Sequence, residues 1–322
     1  MTAAAPVTRG RAGRRPVRGA AAARTALITP GVLLLVLCAL LPLLAIVVIG
    51  FTSGDGGVTF DNFSKAITSA TYLRLLWRTV WIAVLVTVLS IAIGWPAAWA
   101  LARYVQPRTR SLVLGLVVIP YITSQLLLIY GYMTLVQPGG PVSSIAALFG
   151  GDDQTSFLYT PTATLLMLVY ESLPTAVLVM YSASERVNGS LLEAARTLGA
   201  GRLHAFTTVI WPLCSGMLLV NFSLTFVQTV GAFAEPQVLG GPNGNMLGNA
   251  ISEQLGTGSG EPFAVALSLL LLVASLIVVG IAALVLGIGN RARKPRVTPA
   301  AETVAAATVS STLDPALQEG TR

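Results

Sequence analysis

Apolar residues in this chain do not alternate with polar ones; they run in long blocks separated by short polar segments. Six blocks stand out: Leu27–Phe51, Thr79–Ala102, Leu112–Val136, Thr162–Ser184, Phe206–Ala234 and Phe263–Asn290. Each reaches the roughly 20 apolar residues that an α-helix needs to cross the hydrocarbon core of a bilayer. Five contain no charged residue, and the fourth contains only Glu171. The pattern predicts an all-α, polytopic membrane protein with six transmembrane helices. Proline and glycine interrupt several blocks: Gly94 and Pro96 the second, Pro120 the third, Pro174 the fourth and Pro212 the start of the fifth. Proline removes a backbone donor, and in lipid the freed carbonyl must find another partner. These breaks therefore mark either ordinary kinked packing or helices that line a pathway. Gln125, Asn221 and Gln228, polar residues deep inside spans, fit both readings.

Composition agrees with the pattern. The chain is 54% hydrophobic and 10% charged, with a mean hydropathy of +0.76. A soluble surface needs about 25% charged residues. The net charge of +7 would suit nucleic acid, but its placement argues otherwise. Six arginines fall within residues 1–24, and Arg291, Arg293, Lys294 and Arg296 follow the last block. Basic residues flanking spans stay on the cytoplasmic side. Segments 103–111 and 185–205 carry three arginines each, whereas 137–160 and 235–262 carry acids and no Lys or Arg. The expectation is that both ends lie in the cytoplasm and that no nucleic acid is bound. Lys65, Arg74 and Arg78 are the exceptions in the first outward segment, and Arg74 and Arg78 fit an interfacial helix leading into the second span. The first apolar block is too long for a signal peptide and has no clear cleavage site, which predicts an uncleaved span. The two cysteines, Cys38 and Cys214, show neither a disulfide framework nor metal-ligand spacing. The expected organisation is a basic disordered tail over 1–26, a membrane domain over 27–290 with a cytoplasmic loop over 185–212, and a second disordered tail over 291–322.

The loop after the fourth block, VNGSLLEAARTLGAGRLHAFTTVIWPL (187–213), has a legible local design. Ser190 and Glu193 stand at S-x-x-E spacing, which predicts a capping box opening a helix over Leu191–Leu198. Gly199 falls where a left-handed C-terminal cap is wanted. A second short helix is expected from Arg202 toward Pro212. Leu191, Leu192, Ala195 and Leu198 share one face at helical spacing. That face either packs back on the bundle or docks into a partner.

This segment resembles the cytoplasmic loop of the permease subunits of bacterial ATP-binding-cassette (ABC) importers. The family pattern is EAA, three residues, Gly, nine residues, then I-x-L-P. Here Glu193-Ala194-Ala195 is followed by Gly199, Val209, Trp211 and Pro212 at the same spacing, with Val in place of Ile and Trp in place of Leu. The resemblance implies the type I importer permease fold in a bacterial cell membrane. It implies coupling through Ser190, Leu191, Leu192, Glu193, Ala194, Ala195, Leu198, Gly199 and Pro212 to a cytoplasmic ABC ATPase dimer. It also implies a second permease subunit and an extracytoplasmic solute-binding protein. ATP would be bound by the partner ATPase, because this chain cannot contain a phosphate-binding G-K-[ST] loop: its two lysines, Lys65 and Lys294, follow Ser64 and Arg293. No cofactor or catalytic residue is expected in the chain itself.

The stretch Val230–Leu255 is similar to the spermidine/putrescine branch of these permeases, on Gly231, Phe233, Pro236, Leu239, Gly240, Gly241, Met246, Gly248, Asn249 and Ile251. That branch also includes importers of ferric iron, thiamine and phosphonates, so it narrows a small-molecule substrate only in part. Glu171 lies about ten residues in from Pro161, at roughly 15 Å depth given 1.5 Å per residue. An acid at that depth defaults to a functional reading. It either faces a cationic solute, with Gln125, Asn221 and Gln228 along the same path, or bridges helices through a hydrogen bond. A competing reading makes the chain an ion-gradient-driven secondary transporter with Glu171 as its proton site, which leaves the cytoplasmic loop without a use.

Overall fold

A computed structural model describes residues 18–52, 57–148, 158–241, 243–257 and 260–291. The helices are α1 (Arg18–Gly50), α2 (Asp61–Thr68), α3 (Ala70–Tyr104), α4 (Pro107–Ile122), α5 (Gln125–Val136), α6 (Pro141–Leu148), α7 (Pro161–Glu185), α8 (Gly189–Thr197), α9 (Arg202–Ala205), α10 (Trp211–Val230), α11 (Ala234–Leu239), α12 (Leu247–Gly256) and α13 (Glu261–Arg291). Among the described residues there is no strand, only one isolated bridge between Thr52 and Val58. Five helical stretches are long and apolar enough to cross a membrane, and a sixth candidate is the pair α4–α5, bent by 98°.

The centre of the bundle is α3 packed on α7, with α10 against both. Lipid and apolar side chains are equally oily, so helix association in a membrane relies on close backbone approach through small residues. The buried stripe of α3 runs Thr79, Ala83, Thr87, Ser90, Gly94 and Ala98. Gly94 meets α7 at Ala176: a Cβ on Gly94 would lie 2.8 Å from the Ala176 Cβ. The hydroxyls of Thr79 and Thr87 donate to the carbonyls four residues earlier, so these polar side chains are satisfied within their own helix. Beyond the centre, α13 packs on α10, α12 and α1, and α1 presents exposed apolar residues nearly all round.

The structure corrects several expectations. The third block is not one straight span: α4 ends at Ile122 and α5 restarts at Gln125. Pro120 lies in the last turn of α4, and the Thr123 N–H donates to the carbonyls of Ile119 and Pro120. Pro96 and Pro174, by contrast, sit inside unbroken helices, and Gly94 is a contact point between helices rather than a break. Arg74 and Arg78 do not form a separate interfacial helix. They lie on α3, whose 35 residues span about 52 Å and exceed the hydrocarbon core. Residues 18–26, expected to be disordered, are the helical start of α1. Residues 1–17 and 292–322 of the expected tails lie outside the described residues. The fifth block ends at Val230, and Glu235 opens into a separate short helix, α11.

Candidate functional site

The helix α8 has a different start from the one the sequence predicts. Its N-cap is Asn188, whose Oδ1 accepts the Ser190 backbone N–H at 3.2 Å. Glu193 is therefore two residues too far into the helix for a capping box, and its side chain is free for other contacts. The predicted end is found as expected. Gly199 sits at φ +81°. Its N–H donates to the Arg196 carbonyl at 2.9 Å, and the Ala200 N–H donates to Ala195 at 3.0 Å, the paired bonds of a Schellman cap. A Cβ at Gly199 would meet nothing within 4 Å, so only backbone conformation demands glycine there. Replacing Gly199 with alanine should cost about 1–2 kcal/mol of turn stability. Hydrogen–deuterium exchange should then show amides of α8 exchanging roughly tenfold faster, and unchanged exchange would mean that this cap does not hold the helix.

The predicted apolar face of α8 is split between the bundle and the exposed surface. Leu192 packs into the buried cluster of Val187, Ile210 and Cys214, together with Phe206 and Trp211. Leu191 and Leu198 point away from the bundle, 47% and 88% exposed, with Ala194 exposed between them. They stand at i, i+3 and i+7, so they form one stripe. The second short helix does not stop before the next span. The chain runs from Arg202 through a π-helical turn, Phe206–Ile210, directly into α10. Pro212 cannot donate to Thr208, and the Trp211 N–H reaches back five residues to the Phe206 carbonyl. The Trp at position 211 finds its place here: Trp95 of α3 lies 5.9 Å from Trp211 and 5.3 Å from Phe206, ring to ring.

Two arginines tie this region to the end of α3. Arg103 donates to the Val187 carbonyl and lies 4.9 Å over the Trp99 ring. Arg110 donates to Tyr181 Oη and Glu185 Oε1, each at 3.2 Å, and to the carbonyls of Ala102 and Val105. The last turn of α7 is thereby held just before α8 begins. Between α8 and α10 the chain turns at Gly199 and then runs from Arg202 through the π turn into α10.

A second site lies in the interior of the bundle. Gln125 at the start of α5, Glu171 on α7 and Gln228 on α10 all line two adjoining cavities of about 250 and 190 Å³. These three sequence-predicted residues are brought together by the break between α4 and α5, which turns Gln125 inward. Asn221 is not with them. It is fully buried within α10, its Oδ1 accepting from Thr225 at 3.5 Å, and it lines neither cavity. The sequence reading missed Glu235, which it counted as an outward-loop acid. Glu235 is fully buried, and its Oε1 accepts from Gln125 Nε2. Its signal was the apolar setting: Gly231-Ala232-Phe233-Ala234 before it and Pro236 after it leave no solvated loop around the charge.

Residues 231–251 form the fold that holds Glu235, rather than a plain turn. Asn249 Nδ2 donates to the Phe233 carbonyl at 2.8 Å, and Asn249 Oδ1 accepts from the Met246 N–H at 3.0 Å. Thr79 of α3 accepts the Leu247 N–H at 2.8 Å. Leu239, Met246 and Leu247 are fully buried. Gly241, at φ +58°, lets the chain pass against the Tyr159 carbonyl, where a Cβ would come within 2.8 Å.

Comparisons with known proteins point in one direction. Residues 90–286 match the sequence profile of the binding-protein-dependent transport system inner membrane component family. The spermidine/putrescine transport system permease protein PotB of Escherichia coli K12 is 31% identical over 244 residues, covering 74% of this chain and 88% of that protein. PotB of Haemophilus influenzae is 30% identical over 254 residues, covering 76% and 88%. Among solved structures, a bacterial ABC transporter involved in import of the acidic polysaccharide alginate superposes with a TM-score of 0.68 at 18% identity, covering 86% of this chain and 98% of that one.

Proposed function

This chain belongs to the binding-protein-dependent transport system inner membrane component family, the permeases of ABC importers, and from that premise we propose that it forms the path for a polyamine-type solute such as spermidine or putrescine and is driven by a separate ATPase through α8. It is a multi-pass protein of the bacterial cytoplasmic membrane and a transport subunit. In this reading α4–α5 counts as one span, the six spans leave both ends in the cytoplasm, and the folded permease domain covers 27–290.

One observation carries the coupling role: the exposed stripe Leu191–Ala194–Leu198 on a helix capped at both ends and packed through Leu192 against the cluster of Val187, Ile210 and Cys214. An apolar stripe in water costs free energy unless a partner covers it. A helix-in-groove contact with a cytoplasmic ATPase subunit would cover it, and Glu193 stands free to meet a basic residue there. ATP would be bound and hydrolysed by that dimer. The other partners are a second permease, whose surface closes the path, an extracytoplasmic solute-binding protein and the surrounding lipid; no nucleic acid takes part.

The solute class rests on the polar interior. Fold alone does not set the sign of the cargo's charge, since the same fold occurs in an alginate importer. Here Glu171, Gln125 and Gln228 line the cavities, and neither cavity is lined by a basic residue. Acids and amides suit an organic cation. An ion-gradient carrier using Glu171 would leave the α8 stripe without a partner, and no observation favours it.

Co-purification from the native operon in mild detergent should yield an ATPase with this chain, and vesicles should accumulate labelled spermidine or putrescine only with ATP present. Uptake that continues without ATP would overturn the coupling, and uptake of neither polyamine would overturn the solute class.

A further inference from the structure

We propose that Glu235 is a positioning residue for the solute: it holds the Gln125 amide by its nitrogen, so that the amide oxygen faces the cavities and receives, together with the Glu171 carboxylate, the N–H groups of an organic ammonium cation. This deepens the polyamine reading above and rests on it.

Glu235 lines neither cavity, so it acts on a solute there through another side chain. It is fully buried; its Oε1 accepts from Gln125 Nε2, and its Oε2 is enclosed with no donor. Burial of a charged group without a partner is costly. Gln125 is the one side-chain donor to Glu235 among the described residues, where the one ion pair is Arg110–Glu185. Releasing the amide would leave the carboxylate without a donor, so the contact is kept. The backbone on both sides is fixed as well. Gln125 opens α5 directly after the break, α11 packs on α5, and Asn249 Nδ2 donates to the Phe233 carbonyl just before α11.

Gln125 is the member of this pair that reaches the path, for it lines both cavities. Its amide has a donor end and an acceptor end, and a half-turn exchanges them. With the nitrogen bound to Glu235, the oxygen is the end left for the cavities. The hydroxyls on these walls have the same character. Ser172 and Thr229 on one cavity and Thr123 on the other donate their hydrogens to the carbonyls four residues earlier, which leaves their oxygens as acceptors. Glu171, which lines both cavities, is an acceptor when ionised. Gln228 can turn either end of its amide to what is bound. A group that only donates fits such walls, and an ammonium is one, with N–H donors, a positive charge and no lone pair. Turned over, Gln125 would meet that cation with its own N–H groups, and Glu235 prevents this.

The test is a double-mutant cycle, read in ATP-dependent uptake of labelled spermidine by the complete importer and expressed per chain present in the membrane. Gln125→Met removes the oxygen and should lower the maximal rate about tenfold, the loss of one hydrogen bond to a charged group. Glu235→Met frees the amide to turn and should lower it about fivefold. In the Gln125→Met background, Glu235→Met should cost nothing further, because Glu235 acts through Gln125. A merely structural Glu235 would lower the rate by the same factor in both backgrounds. Any further loss in the Gln125→Met background, or no loss with Gln125 present, would overturn the positioning role while leaving the polyamine reading intact. No polyamine uptake by the wild type would overturn that reading and this role with it. Should Glu235→Met fail to reach the membrane, Glu235→Gln, which keeps the shape, is taken through the same cycle. Its amide offers Gln125 a donor as readily as an acceptor, so about a twofold loss is expected with Gln125 present and none without it, and the same two results would overturn the role.

Discussion

Gly94→Val is expected to leave little or no properly assembled chain in the membrane, and Gly94→Ala to lower its melting midpoint. The reason is the crossing of α3 on α7. A Cβ at position 94 would stand 2.8 Å from the Ala176 Cβ and 3.3 Å from both the Ala176 carbonyl carbon and the Val177 nitrogen. Two of those three contacts are with backbone, which cannot rotate away as a side-chain tip can. Overpacking of this kind costs about 1–3 kcal/mol for one added methyl, and the branched valine adds more. Nothing compensates, because no gain in apolar burial accompanies closer contact between helices already in lipid. Fluorescence-detected size exclusion and thermal melting in detergent would measure both effects. The decisive control is Ala176→Gly in the Gly94→Ala background. It removes the 2.8 Å contact and should return most of the lost stability. If Gly94→Ala is neutral by itself, the helices do not approach as closely as the packing requires.

The second large effect is expected from Ala194→Arg, which should abolish transport while leaving the chain folded. Ala194 sits between Leu191 and Leu198 on the exposed stripe of α8, away from the bundle. An arginine there meets only water in the isolated chain, so abundance and melting midpoint should match wild type. In the assembled importer it would be driven into an apolar contact as an unpaired charge. Such a charge costs about 2–5 kcal/mol at an interface, equivalent to a loss of roughly 30-fold or more in binding. Uptake should fall accordingly, and the ATPase should no longer co-purify. Retention of the ATPase with normal uptake would show that this stripe is not the docking face.

Much of the molecule was legible from hydrophobic blocks, because a membrane span is the one element whose length and composition are set by its solvent. The ends of the blocks at Thr162–Ser184 and Phe263–Asn290 agree with α7 and α13 to within about two residues. Prolines were less informative. Pro96, Pro174 and Pro212 all lack a donor, yet two sit inside unbroken helices and one just after a π turn, because packing decides how a missing hydrogen bond is absorbed. The cap of α8 was misread for a related reason. Ser190 and Asn188 both offer a side-chain acceptor, and the chain's exit from α7 selects Asn188.

The sequence by itself determined the membrane class, the polar loop that follows the fourth apolar block and the glycine that ends α8. Each is a local property: a run of apolar residues, a polar segment between two such runs, a turn that needs φ above zero. Only the tertiary structure decided which polar residues share a site. Gln125, Glu171, Gln228 and Glu235 come from four helices, and their meeting depends on a bend in one span and a clamp on another segment. It set Asn221, which looked equivalent along the chain, apart from these residues, because that side chain is buried and lines neither of the two cavities. It turned Glu235 from a loop acid into a buried one, since depth is set by what packs around a residue and not by its neighbours in sequence.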